Sequence, residues 1–387
     1  MGTGDELNEL ISALVRIETE NPPGNERACA EFIVDWFASH DIEATLVDEP
    51  YENRPQAVAT VGEGDPTLVL NGHIDVVPAG ERDQWTHDPY AGVIEDGHLY
   101  GRGSVDMKGG VAVGMLAMRT LRDAIEEGDV SGSAVLQAAI GEETAEPGTL
   151  SLLEEGYDGD YGVVLEPTGL RTATSEKGLA WYEITVAGEP SHASRPDQGD
   201  NAIQNARPVL DALAEYDERI RGRRDDLVGS AYATTTEFRA GTKENVVPES
   251  ATITLDRRFI PEESVEEVDE EIDELLASVE TEHGIETDWR RTRTYESAAI
   301  SEDSPLSEVF RSHSKRIADA DPSPWGVRAS TDVRNFVNDH GIEAITWGPG
   351  DMGQAHTFDE HLDLEEAFVG YEVLVEAAEE LLDSAVP

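Results

Sequence analysis

The chain holds one cysteine and four lysines among 387 residues. A lone cysteine, Cys29, excludes an internal disulfide. It sits in ERACAEFIVDWF with Ala28, Phe32, Ile33 and Trp36 at helical spacing, and it reads as a small buried apolar residue. Basic residues are scarce: 28 Lys and Arg stand against 82 Asp and Glu, a net charge of −54. Nucleic acid is thereby disfavoured as a partner, because phosphate contacts need a basic surface. No apolar run reaches about 18 residues, so no membrane span is expected and no membrane partner is invoked. The N-terminal MGTGDELNEL lacks both a basic region and an apolar core, so no signal peptide is expected and the protein reads as cytoplasmic.

High net charge commonly marks disorder. Here the acidic residues are interleaved with apolar positions throughout, which predicts a folded protein with an acidic surface, of the kind that works in concentrated salt. The length exceeds one typical core and predicts two domains. Residues 5–20 and 25–39 read as amphipathic helices, separated by the punctuation Asn21-Pro22-Pro23-Gly24. From about 43 to 175, short apolar runs (AVATV, TLVLN, SAVLQAAI, YGVVL) alternate with helical stretches near 110–127 and 148–155. That alternation predicts an α/β, doubly wound, mainly parallel sheet. After about 177 the order becomes strand–helix–strand–strand–helix–strand, an α+β split-βαβ pattern. Its second helix is announced by a capping box at Ser264 and Glu267 and by an apolar stripe through Val265, Val268, Ile272, Leu275, Leu276 and Val279. Residues 178–293 therefore read as an inserted domain. Residues 1–177 and 294–387 form the domain it interrupts.

Five Gly-rich segments carry the chemistry: NGHIDVVPAG (His73, Asp75), GRGSVDMKGG (Asp106), IGEETAEPG (Glu142, Glu143), VVLEPTG (Glu166) and GPGDMGQAHTFDEHL (His356). At least three follow an apolar strand directly, and EAITW precedes the last. Sites in open α/β sheets are built at the carboxyl ends of strands, so separate strand ends are expected to converge. Taken singly, each residue has a plain structural reading: a turn or cap for Asp106, a solvated surface pair for Glu142-Glu143. Taken together, two His and four or five carboxylates form a ligand set for two divalent metals, with one carboxylate spare for acid–base work. Asp75 can orient either His73 or the rest of the ligand set.

These motifs, with WTHDPYAGVIEDGHLY between them, match in order and spacing. The chain resembles the zinc-dependent exopeptidase and deacylase family of acetylornithine deacetylase, succinyl-diaminopimelate desuccinylase, aminoacylase and carboxypeptidase G. The resemblance spans nearly the whole chain. It implies two divalent metals per subunit, zinc first and cobalt or manganese as alternatives. His73 and Glu166 would hold one metal, Glu143 and His356 the other, and Asp106 would bridge them. Asp75 would support His73, and Glu142 would be the general base for attack of water activated between the metals. The peptide bond after the bridging Asp, here Asp106–Met107, would be cis. In the inserted domain, His192 of SHASRPDQGDNAI would reach a partner subunit's site in a homodimer, with that domain serving dimerisation or as a lid. Asn245 and Arg258 would contact a substrate carboxylate, although Arg257 competes with Arg258 for that face. RASTDVRNF resembles a substrate-binding loop but departs from the desuccinylase form Gly-Thr-Ser-Asp. The expected substrate is an N-acyl amino acid, the alternative a short peptide cleaved by a carboxypeptidase- or dipeptidase-type exopeptidase.

The charge carries its own test. Dialysis from molar KCl to about 0.01 M lengthens the Debye length to roughly 30 Å, and the fold should loosen and lose activity. A melting temperature that stays constant across that range would contradict an acidic surface dependent on salt.

Overall fold

The computed structural model describes residues 2–383. The chain divides into two compact units: Met1–Thr174 with Ala299–Gly326 and Thr331–Pro387, and Ser175–Ala298 with Val327–Ser330. No helix among the described residues is long and apolar enough to cross a membrane.

The first unit is built on a mixed sheet whose centre is parallel. Four strands, Ser133–Ala139, Thr67–His73, Tyr161–Val164 and Glu343–Thr346, lie side by side in that order and all run the same way. Their residues are almost wholly buried, as expected of parallel strands covered on both faces. Antiparallel strands extend the sheet: Gln56–Gly62 and Glu43–Val47 on one side, and Ala173–Glu176 on the other. The helix Lys108–Glu127 packs against this centre through an unbroken buried N-terminal half. Gly110 makes the close approach possible, because a Cβ there would lie 2.1 Å from the Leu165 carbonyl oxygen. The start of this helix, and Asp106 just before it, is thereby pressed against the strand end that carries Glu166.

The first helix is shorter than its apolar pattern predicts, ending at Val15 rather than near residue 20. Residues after it are drawn into pairing beside the His73 loop. Thr19 Oγ1 donates to the Ile74 carbonyl at 2.6 Å, and Glu20 bridges Val76 in parallel. Cys29 is buried, and burial pushes its thiol up to about 11.

The second unit is a four-stranded antiparallel sheet in the order Tyr232–Ala240, Ser250–Phe259, Gly178–Ala187, Thr287–Tyr295. Alternate residues Ala180, Tyr182, Ile184 and Val186 pack with Ile253 and Leu255 against the helices Ala202–Ile220 and Val265–His283. The capping box of the second helix is formed by Ser264 and Glu267.

Candidate metal centre

The four parallel strands deliver their carboxyl ends to one place. His73 closes its strand, and Ile74 N–H stays in the ladder by donating to the Ala139 carbonyl at 2.8 Å. Glu142 and Glu143 open a short 3-10 turn beyond the neighbouring strand, after Gly141 turns the chain at φ 81°. Glu166 follows the third strand, with Leu165 N–H still bonded to the Asn71 carbonyl. His356 arrives from the loop beyond the fourth, at φ 63°, a left-handed conformation uncommon for a side chain of this size.

Asp106 stands at the centre. Its Oδ1 lies 3.0 Å from His73 Nε2, and its Oδ2 lies 3.1 Å from His356 Nε2. Glu166 Oε1 lies 3.5 Å from His73 Nε2, and Glu143 Oε2 lies 3.2 Å from His356 Nε2. The donors thus fall into two sets that share Asp106. The site is tight enough that single donor atoms of His73, Asp106 and Glu143 also lie within 4.8 Å of one another. The peptide bond Asp106–Met107 is cis.

The arrangement suits divalent cations. Two donors each roughly 2.0–2.1 Å from a tetrahedral zinc lie about 3.3 Å apart, and the four His–carboxylate separations bracket that value at 3.0–3.5 Å. The donors are all imidazole and carboxylate, with no thiolate, a set suited to zinc, cobalt or manganese. The charges point the same way. Burial alone would strip His73 of its proton, but Asp106 and Glu166 outweigh it and hold the imidazole well above its usual pKa. Hydrogen bonds donated to Asp106 and Glu143 push His356 up to about 10. Burial and repulsion by Asp106 push Glu166 up to about 7 against the pull of His73. Burial raises Glu142 well above the usual carboxylate range; His73 opposes this, and Asp332, Glu166 and Glu143 add to it. Carboxylates crowded in this way ask for positive charge beyond two imidazoles.

Asp75 does not act on His73 as a carboxylate in the first instance. His73 Nδ1 donates to the Asp75 backbone carbonyl at 2.9 Å, while the nearest side-chain oxygen is 3.7 Å away. A carbonyl only accepts, so a proton is fixed on Nδ1, and Nε2 is the nitrogen turned toward Asp106 and Glu166. The Asp75 carboxylate instead gathers the loop of Glu142 and Glu143, accepting from Gly141 N–H at 2.9 Å and Glu143 N–H at 3.3 Å.

Sequence reasoning missed several supports. Glu360, fully buried, accepts from Val105 N–H at 3.0 Å and Asp106 N–H at 3.3 Å, and pairs with Arg102 at 2.5 Å. Its signal was present in AHTFDEHL, where only the His had been given a role. Asn21, read as punctuation, donates to Asp75, Thr144 and Glu146 at 3.1, 2.7 and 3.2 Å. Arg54 closes this network by bonding Glu146 at 2.9 Å and Glu26 at 2.6 Å. In the segment matched to a substrate loop, Asp332 is buried and accepts from Thr149 Oγ1 at 2.6 Å. It is therefore a buried acceptor, close enough for its charge to act on Glu142, rather than an exposed contact.

The remaining expected residues belong to the second unit. His192 and Asn245 adjoin one another: His192 pairs with Val246 across a short ladder, and Ala193 N–H donates to the Asn245 carbonyl at 3.0 Å. His192 is exposed, and its Nδ1 accepts from Ser194 N–H at 3.1 Å. Of the two candidate arginines, Arg257 is fully buried and donates to Tyr216 Oη at 2.9 Å and to Glu263. Arg258 is part-exposed and bonds Asp256 through two nitrogens, at 2.7 and 3.0 Å.

Comparison with known proteins agrees with this geometry. The model of peptidase family M20/M25/M40 matches residues 69–380, so the chain belongs to that family and is a metallo-hydrolase. A protein of Staphylococcus epidermidis named probable succinyl-diaminopimelate desuccinylase is 28% identical over 382 residues, covering 91% of this chain and 92% of its own. The N-formyl-4-amino-5-aminomethyl-2-methylpyrimidine deformylase of Bacillus subtilis is 26% identical, covering 94% and 91%. Among solved structures, an M20 family metallo-carboxypeptidase of Sulfolobus solfataricus has the same fold, with a TM-score of 0.80, 16% identity, and coverage of 97% and 98%.

The shared Asp106 sets the test. Metal analysis after equilibrium dialysis should find two ions per chain, one lost in His73→Ala, one in His356→Ala, and both weakened in Asp106→Ala. Glu360→Gln should weaken binding by roughly 10–100-fold, the usual scale for a residue behind a ligand. Undiminished affinity for both ions in Asp106→Ala would contradict a shared ligand.

Proposed function

We propose that the protein hydrolyses the amide bond of N-acyl amino acids, in the manner of acetylornithine deacetylase or succinyl-diaminopimelate desuccinylase. The observation that carries the reading is the Asp106 carboxylate with one oxygen toward each imidazole, together with Glu142, whose carboxyl burial holds well above the usual range. Relatives with deacylating names that cover over nine-tenths of the chain support amide deacylation, and one of them is named for an acylated amino acid. His73, Asp106 and Glu166 would hold one divalent ion and His356, Asp106 and Glu143 a second, with zinc the favoured metal. When bound, the ions polarise a carbonyl and make nearby water acidic.

The protein's own groups supply the rest. Glu142 accepts a proton from the attacking water on its carboxylate. It then delivers that proton to the departing amide nitrogen as the C–N bond breaks, giving a carboxylic acid and a free amine. His73 is kept in one tautomer by the Asp75 carbonyl. Asp75, through Gly141 and Glu143, keeps the loop of the base in register. Arg258 and Asn245 would receive the substrate's free carboxylate, a guanidinium being suited to that group. His192 would stabilise the developing oxyanion from the partner subunit of a homodimer.

In molar KCl, metal-loaded protein should hydrolyse one of N-acetyl-ornithine, N-succinyl-diaminopimelate or N-acetyl-methionine faster than any dipeptide. A preference for dipeptides would replace the deacylase reading with an exopeptidase one. Glu142→Gln should keep both metals while kcat falls by at least roughly 10²-fold; loss of one metal would mean that Glu142 and Glu143 exchange roles. Mixing Glu142→Ala with His192→Ala chains should restore roughly a quarter of wild-type activity, since half the dimers are mixed and each has one whole site. Mixed dimers that form and stay inactive would contradict action between subunits.

A further inference from the structure

The first unit carries a further, three-stranded antiparallel sheet, with His361–Asp363 at one edge, His98–Tyr100 in the middle and Val93–Glu95 at the other edge. Leu99 and Leu362 are paired across two of these strands and fully buried. Strand alternation therefore turns His98, Tyr100, His361 and Asp363 to the opposite, outer face. On that face His98 stands across from Asp363 on one side and from Glu95 on the other, and His361 stands across from Tyr100. Glu95 is engaged by His87, whose Nε2 lies 3.0 Å from its Oε2.

The two imidazoles of the neighbouring strands are set as metal ligands are. Two imidazoles on one tetrahedral zinc have ring centres about 5 Å apart, from Zn–N bonds of roughly 2.0–2.1 Å. The ring centres of His98 and His361 are 5.2 Å apart. His98 Nδ1 donates to the Asp96 carbonyl at 3.1 Å, and His361 Nδ1 donates to the Asp359 carbonyl at 2.8 Å. Each ring thus carries a proton on Nδ1 and leaves Nε2 for another partner, as His73 does in the metal centre.

Asp363 offers the third donor. Its Oδ1 caps the helix Leu364–Asp383, accepting from Glu365 N–H at 2.8 Å and Glu366 N–H at 3.1 Å. Its Oδ2 faces His98 Nε2 at 3.9 Å, too far for a hydrogen bond. A shared zinc needs such a pair about 3.3 Å apart, a closing of about 0.6 Å. The donor atoms of His98, His361 and Asp363 are not all within 4.8 Å of one another, so binding has to draw these half-exposed side chains inward.

We propose that His98, His361 and Asp363 form a cation site separate from the dinuclear centre, which takes one zinc ion and clamps the two strands together. Two imidazoles and a carboxylate suit zinc, whereas an acidic surface alone suits harder ions. The clamp sits on the ribbon that braces Asp106. Glu360 immediately precedes His361, Arg102 follows Tyr100 by two residues, and these two form the ion pair behind Asp106. The ion is structural and touches no reacting atom. Its half-exposed ligands hold it more weakly than the centre holds its own, so it leaves on dialysis that retains the inner ions.

Calorimetric titration of metal-loaded protein with further zinc, in molar KCl, tests the site. Wild type should take up one additional equivalent. His98→Gln and His361→Gln should each weaken that uptake by roughly tenfold or more, and Asp363→Asn, which keeps a capping side chain but loses the charge, should weaken it too. The added zinc should raise the Tm of wild type and leave that of His98→Gln unmoved, while kcat stays unchanged in His98→Gln. Each result is a difference from wild type, so it does not depend on the substrate or on how many ions the centre holds. Excess calcium, which prefers oxygen ligands, should not displace the added zinc. No additional equivalent, equal uptake in all three variants, or displacement by calcium would overturn the proposal.

Discussion

The structure depends on one carboxylate held between two imidazoles. Asp106 places an oxygen near each of His73 and His356, and the other donors divide on either side of it. Such packing sets acidic groups against one another in a partly dry site, where repulsion is strong. The fold tolerates the arrangement because each member is anchored from behind. Glu360 and Arg102 brace the backbone at Asp106, the Asp75 carbonyl fixes His73, and the Asp75 carboxylate ties down the loop of Glu142 and Glu143. The remaining charge deficit is the physical reason to expect metal cations, and metal chemistry follows from the same crowding.

The supporting fold is economical in its logic. Parallel strands end on the same side, so four neighbouring strands deliver four loops to one place. The helix that follows Asp106 can approach because Gly110 has no side chain to strike Leu165. A polar layer lies beneath the loops: Asn71 donates to Gln137 and Thr149, and Thr149 donates to Asp332. Buried networks of this kind hold one arrangement when their partners are satisfied.

Much of this was legible in the sequence. The mainly parallel α/β class followed from apolar runs alternating with helical stretches, and the capping box at Ser264 marked a helix start that the structure has. His73, Asp106, Glu143, Glu166 and His356 stood out because each follows or precedes glycine-rich turns at strand ends. What escaped was long-range. Asn21 and Asp75 are partners across 54 residues, and Arg102 and Glu360 across 258. No local pattern encodes such pairs. The helix over residues 5–20 was overrun because its apolar period continues past Val15, where pairing of Glu20 with Val76 wins instead. The choice between Arg257 and Arg258 needed the packing of Tyr216 and Glu263, which strand alternation alone does not supply.

The most direct test of the central claim is an anomalous-diffraction structure of the metal-loaded protein. The account predicts two ions roughly 3.5–4 Å apart, with one Asp106 oxygen on each, His73 and Glu166 on the first, and His356 and Glu143 on the second. A single ion, or two ions of which only one touches Asp106, would contradict it.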